Sequence, residues 1–172
     1  MAKRILVPVD FSKPSLRALD YAVDYARLLR AELLLLHVVE PVYYTVPGPM
    51  FGGGENPRIL LSDLERTAAE QMSELAARLR ARRVAVRPLI GIGAPHQVIA
   101  ETATARSADL IIMSTHGRTG FSRIMMGSVA ERVVRIAPCP VLSIRAGKAK
   151  APRQRRAPRA RRPAPARRHS RR

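Results

Sequence analysis

Asp109-Leu110-Ile111-Ile112-Met113 runs straight into Ser114-Thr115-His116-Gly117, and nine residues later Gly127-Ser128 opens an amphipathic segment, Val129–Ile136. A short apolar run, a loop of small residues and a helical pattern make a strand–loop–helix unit. In such a unit backbone N–H groups converge where the helix begins, and the helix end adds unpaired donors and partial positive charge. The stretch is therefore a candidate phosphate cradle. Asp10, closing another apolar run at Ile5–Val9, supplies an acid at the end of a second strand.

Outward from this unit the same alternation repeats. Ile5–Val9 reads as a buried strand, and Ser12 is placed to cap a helix that tolerates Pro14 in its first turn. Leu16, Leu19, Val23 and Ala26 recur at spacings of three and four, one face of that helix. Leu33–Val39 is a second apolar run, of the kind that suits a parallel sheet covered on both faces. Residues 40–57 are rich in Pro and Gly, and Asn56-Pro57 starts a long helix with Leu61, Leu64, Ala68, Met72, Leu75 and Leu79 on its apolar face. Val84–Ile90 is the third strand, with Pro88 pointing to a sheet edge. Gly91-Ile92-Gly93 turns into a helix from Pro95 to Arg106; Asp109–Met113 is the fourth strand, Ser128–Ile136 the last helix and Pro140–Ile144 the last strand.

This order implies right-handed crossovers and a doubly wound, five-stranded parallel α/β sheet of Rossmann-like or flavodoxin-like type, with helices on both faces. Ligands of such sheets bind beyond the carboxyl ends of strands, where the strand order reverses. A fourth strand packed beside the first would bring Asp10 and the Ser114–Ser128 loop to one crevice.

Charge divides the chain. Its 172 residues carry a formal net charge of +18. Residues 148–172 hold twelve Lys and Arg, no acid, and no Leu, Ile, Val or aromatic residue. Such a segment cannot bury enough apolar surface to offset its ordering entropy and is expected to be disordered. What remains, residues 1–147, has nineteen basic and thirteen acidic residues, a net of +6, and is expected to be the one folded domain. The lone Cys139, between Pro138 and Pro140, reads as a buried structural thiol. No signal-peptide pattern precedes Ile5, and no apolar run approaches a membrane span, so a cytoplasmic protein is expected.

Several enzyme signatures are missing. There is no G-x-x-x-x-G-K-[ST] loop, and in the Gly91-Ile92-Gly93 segment His96 stands where a dinucleotide fingerprint needs its third glycine. There is no G-x-S-x-G elbow or H-E-x-x-H helix, and His37, His96 and His116 lack metal-ligand spacing. His37 reads as a packed strand residue with a backbone partner. No carboxylate pair or Ser/His/Asp arrangement accompanies the loop, so binding with at most slow hydrolysis is expected rather than proficient catalysis.

Taken together, Ile5-Leu6-Val7-Pro8-Val9-Asp10, Leu36-His37-Val38, the Ser114-Thr115-His116-Gly117-x9-Gly127-Ser128 motif and Pro138-Cys139-Pro140-Val141-Leu142 resemble the universal stress protein family, in its small nucleotide-binding branch, over about residues 2–146. The resemblance implies an adenine-nucleotide site, with ATP as ligand, alone or with Mg2+. Asp10 would meet the adenine and ribose end, with Pro8 shaping the strand end and Val38 lining the base pocket. Met113 ends the fourth strand, and Ser114, Gly117, Gly127, Ser128 and Val129 would cradle ribose and phosphates. The family's first glycine is Ser114 here, which adds a Cβ at a close approach and a hydroxyl that can bond ribose or phosphate.

Each residue also has a local reading. Asp10 can form the turn that starts the first helix, though Ser12 already supplies a cap. Gly117 can provide a positive-φ turn. Ser128 is expected to cap the last helix, and Arg118 and Arg123 can pair with phosphates or simply face solvent. Two rival functions are a stress scaffold without nucleotide, working through its basic tail, and an ATP-using transferase or pyrophosphatase. The latter usually needs an S-G-G-x-D or H-x-G-H loop, which this chain lacks. The apolar Pro140–Ile144 run, as an edge strand, is a candidate homodimer seam, which the resemblance also implies. The tail is a candidate for nonspecific binding of nucleic acid or another polyanion.

Overall fold

The computed structural model describes residues 3–41, 57–115 and 127–145. Gly117, His116, Arg118, Arg123, the Pro/Gly-rich stretch 42–56 and the basic tail lie outside them. The elements run β1 (Arg4–Pro8), α1 (Lys13–Leu29), β2 (Glu32–Val39), α2 (Pro57–Ala81), β3 (Val86–Ile92), α3 (Pro95–Ala105), β4 (Leu110–Ser114), α4 (Ser128–Ile136) and β5 (Val141–Ile144).

The five strands form one sheet in the order β3-β2-β1-β4-β5, every pair parallel. Strand order reverses between β1 and β4, which pair at Ile5–Leu110 and Leu6–Ile111. The doubly wound sheet expected from the alternation is thus the observed fold. Because strand side chains alternate between faces, each strand feeds two cores. Ile5, Val7, Leu33, Leu35 and Ile112 pack under α1 and α2 with Leu19, Val23, Met72 and Leu79. Leu6, Leu34, Leu36, Ile111 and Met113 pack under α3 and α4 with Ile99, Ala103, Ala130 and Val133. Leu33 through Leu36 are each at most 1% exposed, and burying such a side chain is worth roughly 1.5–3 kcal/mol relative to leaving it in water.

Boundaries shift where a long-range bond competes with local pattern. Val84 belongs to the end of α2 and not to β3: its N–H donates to the Leu79 carbonyl at 3.2 Å, and its side chain plugs the core. In exchange β3 extends through Gly91 and Ile92, which pair with Val38 and Val39 instead of forming the turn. Gly91 is needed in the strand because a Cβ there would collide with Val98 of α3, and Gly93, at φ +134°, makes the turn that follows. Pro88 does sit on an edge strand, where its missing N–H costs no ladder bond. Ser114 closes β4, paired with Ile144, and is not the first loop residue.

Candidate functional site

The carboxyl ends of β2, β1 and β4 lie side by side, and they carry most of the candidate residues. Pro8 ends β1 opposite Leu36; Val38 lies near the end of β2; Met113 and Ser114 end β4. Thr115 extends that edge, its N–H donating to the Ile144 carbonyl at 3.0 Å. Its own carbonyl accepts from the Gly127 N–H at 2.6 Å, so the start of α4 is tied to the end of β4. That bond brings Gly127, Ser128 and Val129 to the same edge as Asp10. Gly117 lies outside the described residues.

Asp10 sits two residues past β1, half-buried. Its Oδ1 accepts from the Ser12 N–H at 3.0 Å and from the Ser12 hydroxyl at 2.6 Å. Ser12 in turn caps α1, accepting from the Ser15 N–H at 3.3 Å. The local reading of Asp10 is therefore realised: the carboxylate builds the turn that begins α1. The same turn fixes where the acid stands at the sheet edge.

Sequence reasoning missed what holds this turn from below. Phe11 occupies the left-handed region at φ 61°, an unfavourable place for a bulky residue. Its ring lies 4.7 Å, centroid to centroid, from that of His37, and His37 Nδ1 donates to the Val9 carbonyl at 2.7 Å. His37 is the buried strand residue with a backbone partner that its position suggested. The bond fixes the hydrogen on Nδ1 and orients the ring against Phe11. A Phe immediately after Asp10, one strand over from a lone His, was the available signal.

At α4 the structure corrects one assignment. The N-cap is Gly127, at φ −62° and ψ 148°, and the Glu131 N–H bonds its carbonyl at 3.0 Å. Ser128 is the first helical residue, exposed, and its hydroxyl does not cap the helix. With glycine as cap, no side chain satisfies the first-turn N–H groups of α4, which leaves them to water or to a ligand. Gly127 needs no special backbone freedom, so any demand for glycine there comes from space.

Cys139 is half-buried rather than fully buried. It packs against the α3/α4 core, and burial, followed by the charge of Asp109, pushes its thiol above the usual range.

A model described as the universal stress protein family matches residues 1–145. Universal stress protein MJ0531 of Methanocaldococcus jannaschii is 36% identical over 146 residues, spanning 85% of this chain and 84% of its own length. The chain belongs to the universal stress protein family. Another protein of that family and organism, MJ0577, is 30% identical over 155 residues, 84% of this chain and 96% of its own. Its solved structure, covering 87% of this chain and 99% of that one, gives a TM-score of 0.71. Universal stress protein UspA from Lactobacillus plantarum is 31% identical with a TM-score of 0.67, over 83% of this chain and 97% of its own. The fold is also shared with a universal stress protein solved in complex with cAMP, 23% identical, and with one from Archaeoglobus fulgidus in complex with dAMP, 22% identical, each at a TM-score of 0.56. Among the described residues no helix is long and apolar enough to cross a membrane.

Proposed function

We propose that residues 1–147 bind ATP or a related adenine nucleotide at the carboxyl edge of β1 and β4, and that occupancy regulates a stress response rather than driving rapid chemistry. One observation carries the reading: β1 and β4 are neighbours at the strand-order reversal, so Asp10 and the uncapped start of α4 face one crevice. Asp10 and Val38 take the base and ribose end, with Pro8 and Met113 beneath. Ser114, Gly117, Gly127, Ser128 and Val129 take ribose and phosphates. Universal stress proteins of this fold hold cAMP in one case and dAMP in another, at identities that speak for the fold alone. The reading therefore rests on this chain's own residues.

The donor set fits an anionic ligand: first-turn N–H groups on α4 lack a capping side chain, and the helix dipole favours negative charge there. Among the described residues no group of three or more His, Cys, Asp or Glu could hold a metal ion. Any Mg2+ would then arrive on the nucleotide's phosphates, its usual mode of binding. Purified protein, denatured and filtered, should release an adenine nucleotide or, if purified empty, take one up on mixing; neither event in folded protein defeats the proposal.

Two partner surfaces belong to the same reading. β5 is a sheet edge, and pairing residues 140–144 with a second copy would cover its unpaired backbone groups. The basic segment 148–172 follows β5 closely, and Ile144 is bonded to Thr115 at the nucleotide edge. We assign that segment to nonspecific polyanion binding beside the site.

A further inference from the structure

Beside the start of α4 lies a cavity of about 460 Å³, bordered among the described residues by Glu40 just past β2, His96 in the first turn of α3, and Ser128, Val129 and Arg132 of α4. Two helices begin at this cavity, and neither has a capping side chain: the N-cap of α3 is Ala94 and that of α4 is Gly127. Helix α1, by contrast, is closed by Ser12. First-turn N–H donors of α3 and α4 are thus directed toward one space without a side-chain acceptor.

The side chains there are equally uncommitted. Among the described residues His96 and Arg132 make no hydrogen bond or ion pair, whereas the neighbouring Glu131 is engaged by Arg135 at 2.9 Å. The acid that could neutralise Arg132 along the helix is therefore occupied. Arg132 stands one turn beyond Ser128, so its guanidinium fork shares the face on which α4 begins. Ser128 and Val129 border both this cavity and the phosphate end of the proposed nucleotide site. A nucleotide held at its base end by Asp10 and Val38 has to lead its phosphates past them.

We propose that Arg132 and His96 form a subsite for the terminal phosphates of a nucleoside polyphosphate, so that this chain prefers triphosphate to monophosphate. The inference rests on the adenine-nucleotide reading and adds residues to it. Arg132 supplies a bidentate charged contact, His96 a second donor, and the two helix starts the surrounding positive potential. Glu40 opposes them, limiting affinity for the most highly charged ligand.

The test is calorimetric titration of the full chain with AMP and with ATP at one ionic strength. Arg132 is exposed and His96 half-exposed, so substitution leaves the core intact, and a thermal melt of each variant confirms folding. Wild type is expected to bind ATP more tightly than AMP. Arg132→Ala should weaken ATP about ten-fold, the loss of one charge-assisted contact, while AMP shifts less than about two-fold. His96→Ala should act in the same direction to a smaller extent, and Glu40→Gln should tighten ATP alone. An ATP-to-AMP affinity ratio unchanged by Arg132→Ala overturns the subsite and leaves nucleotide binding standing. Wild type that binds neither nucleotide overturns both.

Discussion

His37 donates from Nδ1 to the carbonyl of Val9 at 2.7 Å, one strand away, while its ring rests on Phe11 beside Asp10. The contact joins the core of β2 to the turn that carries the acid. Truncating it strands a buried carbonyl and opens a void. His37→Ala should cost roughly 2–4 kcal/mol, read as a lower urea midpoint at unchanged slope. A loss under about 0.5 kcal/mol would show that the turn holds itself.

The two roles of Asp10 separate by substitution. Asp10→Asn keeps an Oδ1 acceptor for Ser12, so stability should stay within about 0.5 kcal/mol while nucleotide affinity falls. Asp10→Ala removes the turn as well and should lose about 1 kcal/mol in addition to affinity. Denaturation and titration of both variants distinguish the cases. If Asn binds nucleotide as wild type does, the carboxylate serves the turn alone.

Burial of Cys139 has a pH consequence. Its thiol titrates above the ordinary value of 9.0, so alkylation by iodoacetamide at neutral pH should be slower than for an unfolded-chain cysteine and should accelerate as pH rises. Because the folded state holds this proton more tightly, the associated stability is present below pH 9 and is lost as pH climbs through the raised value. Alkylation at the unfolded rate at pH 7 would contradict the packing.

The β5 edge should make the protein a homodimer by light scattering, with or without ATP. Half-buried Val141, Leu142 and Ile144 line that edge, and exposed Arg145 is the charge that could protect it. A monomer mass at working concentration counts against the seam.

The twelve cations of residues 148–172 should bind DNA and RNA without sequence preference and with steep salt dependence. The segment has no aromatic residue for stacking on bases. Full-length protein should bind at low salt, and a chain ending at Gly147 should not. Equal weak binding by both removes the tail from the account.

The fold was legible because its signals are local and repeated. Fully apolar runs marked buried strands, Ser12 and Pro14 marked the start of α1, and Pro88 marked an edge. The adjacency of β1 and β4 followed from the handedness of crossovers. What escaped was set by contacts distant in sequence or by one-residue choices. Val84 looked like strand until the end of α2 claimed its N–H. Ser114 looked like loop until Ile144 paired with it. Ser128, a favoured capping type, lost the cap to Gly127 because the bond from Gly127 to Thr115 fixes the helix start one residue earlier. His96 and Arg132 are thirty-six residues apart, and only the convergence of α3 and α4 on one cavity places them together.

The central claim is that the start of α4 holds nucleotide phosphates, and Gly127→Val tests it most directly. At φ −62° and ψ 148° the backbone accepts valine without strain, so the substitution acts through the side chain it adds beside the helix start. Calorimetry with ATP should show saturable binding by wild type and a loss of at least about ten-fold in a Gly127→Val protein that melts normally. Unchanged affinity in that folded variant, or no heat from wild type at millimolar ATP, would contradict the account.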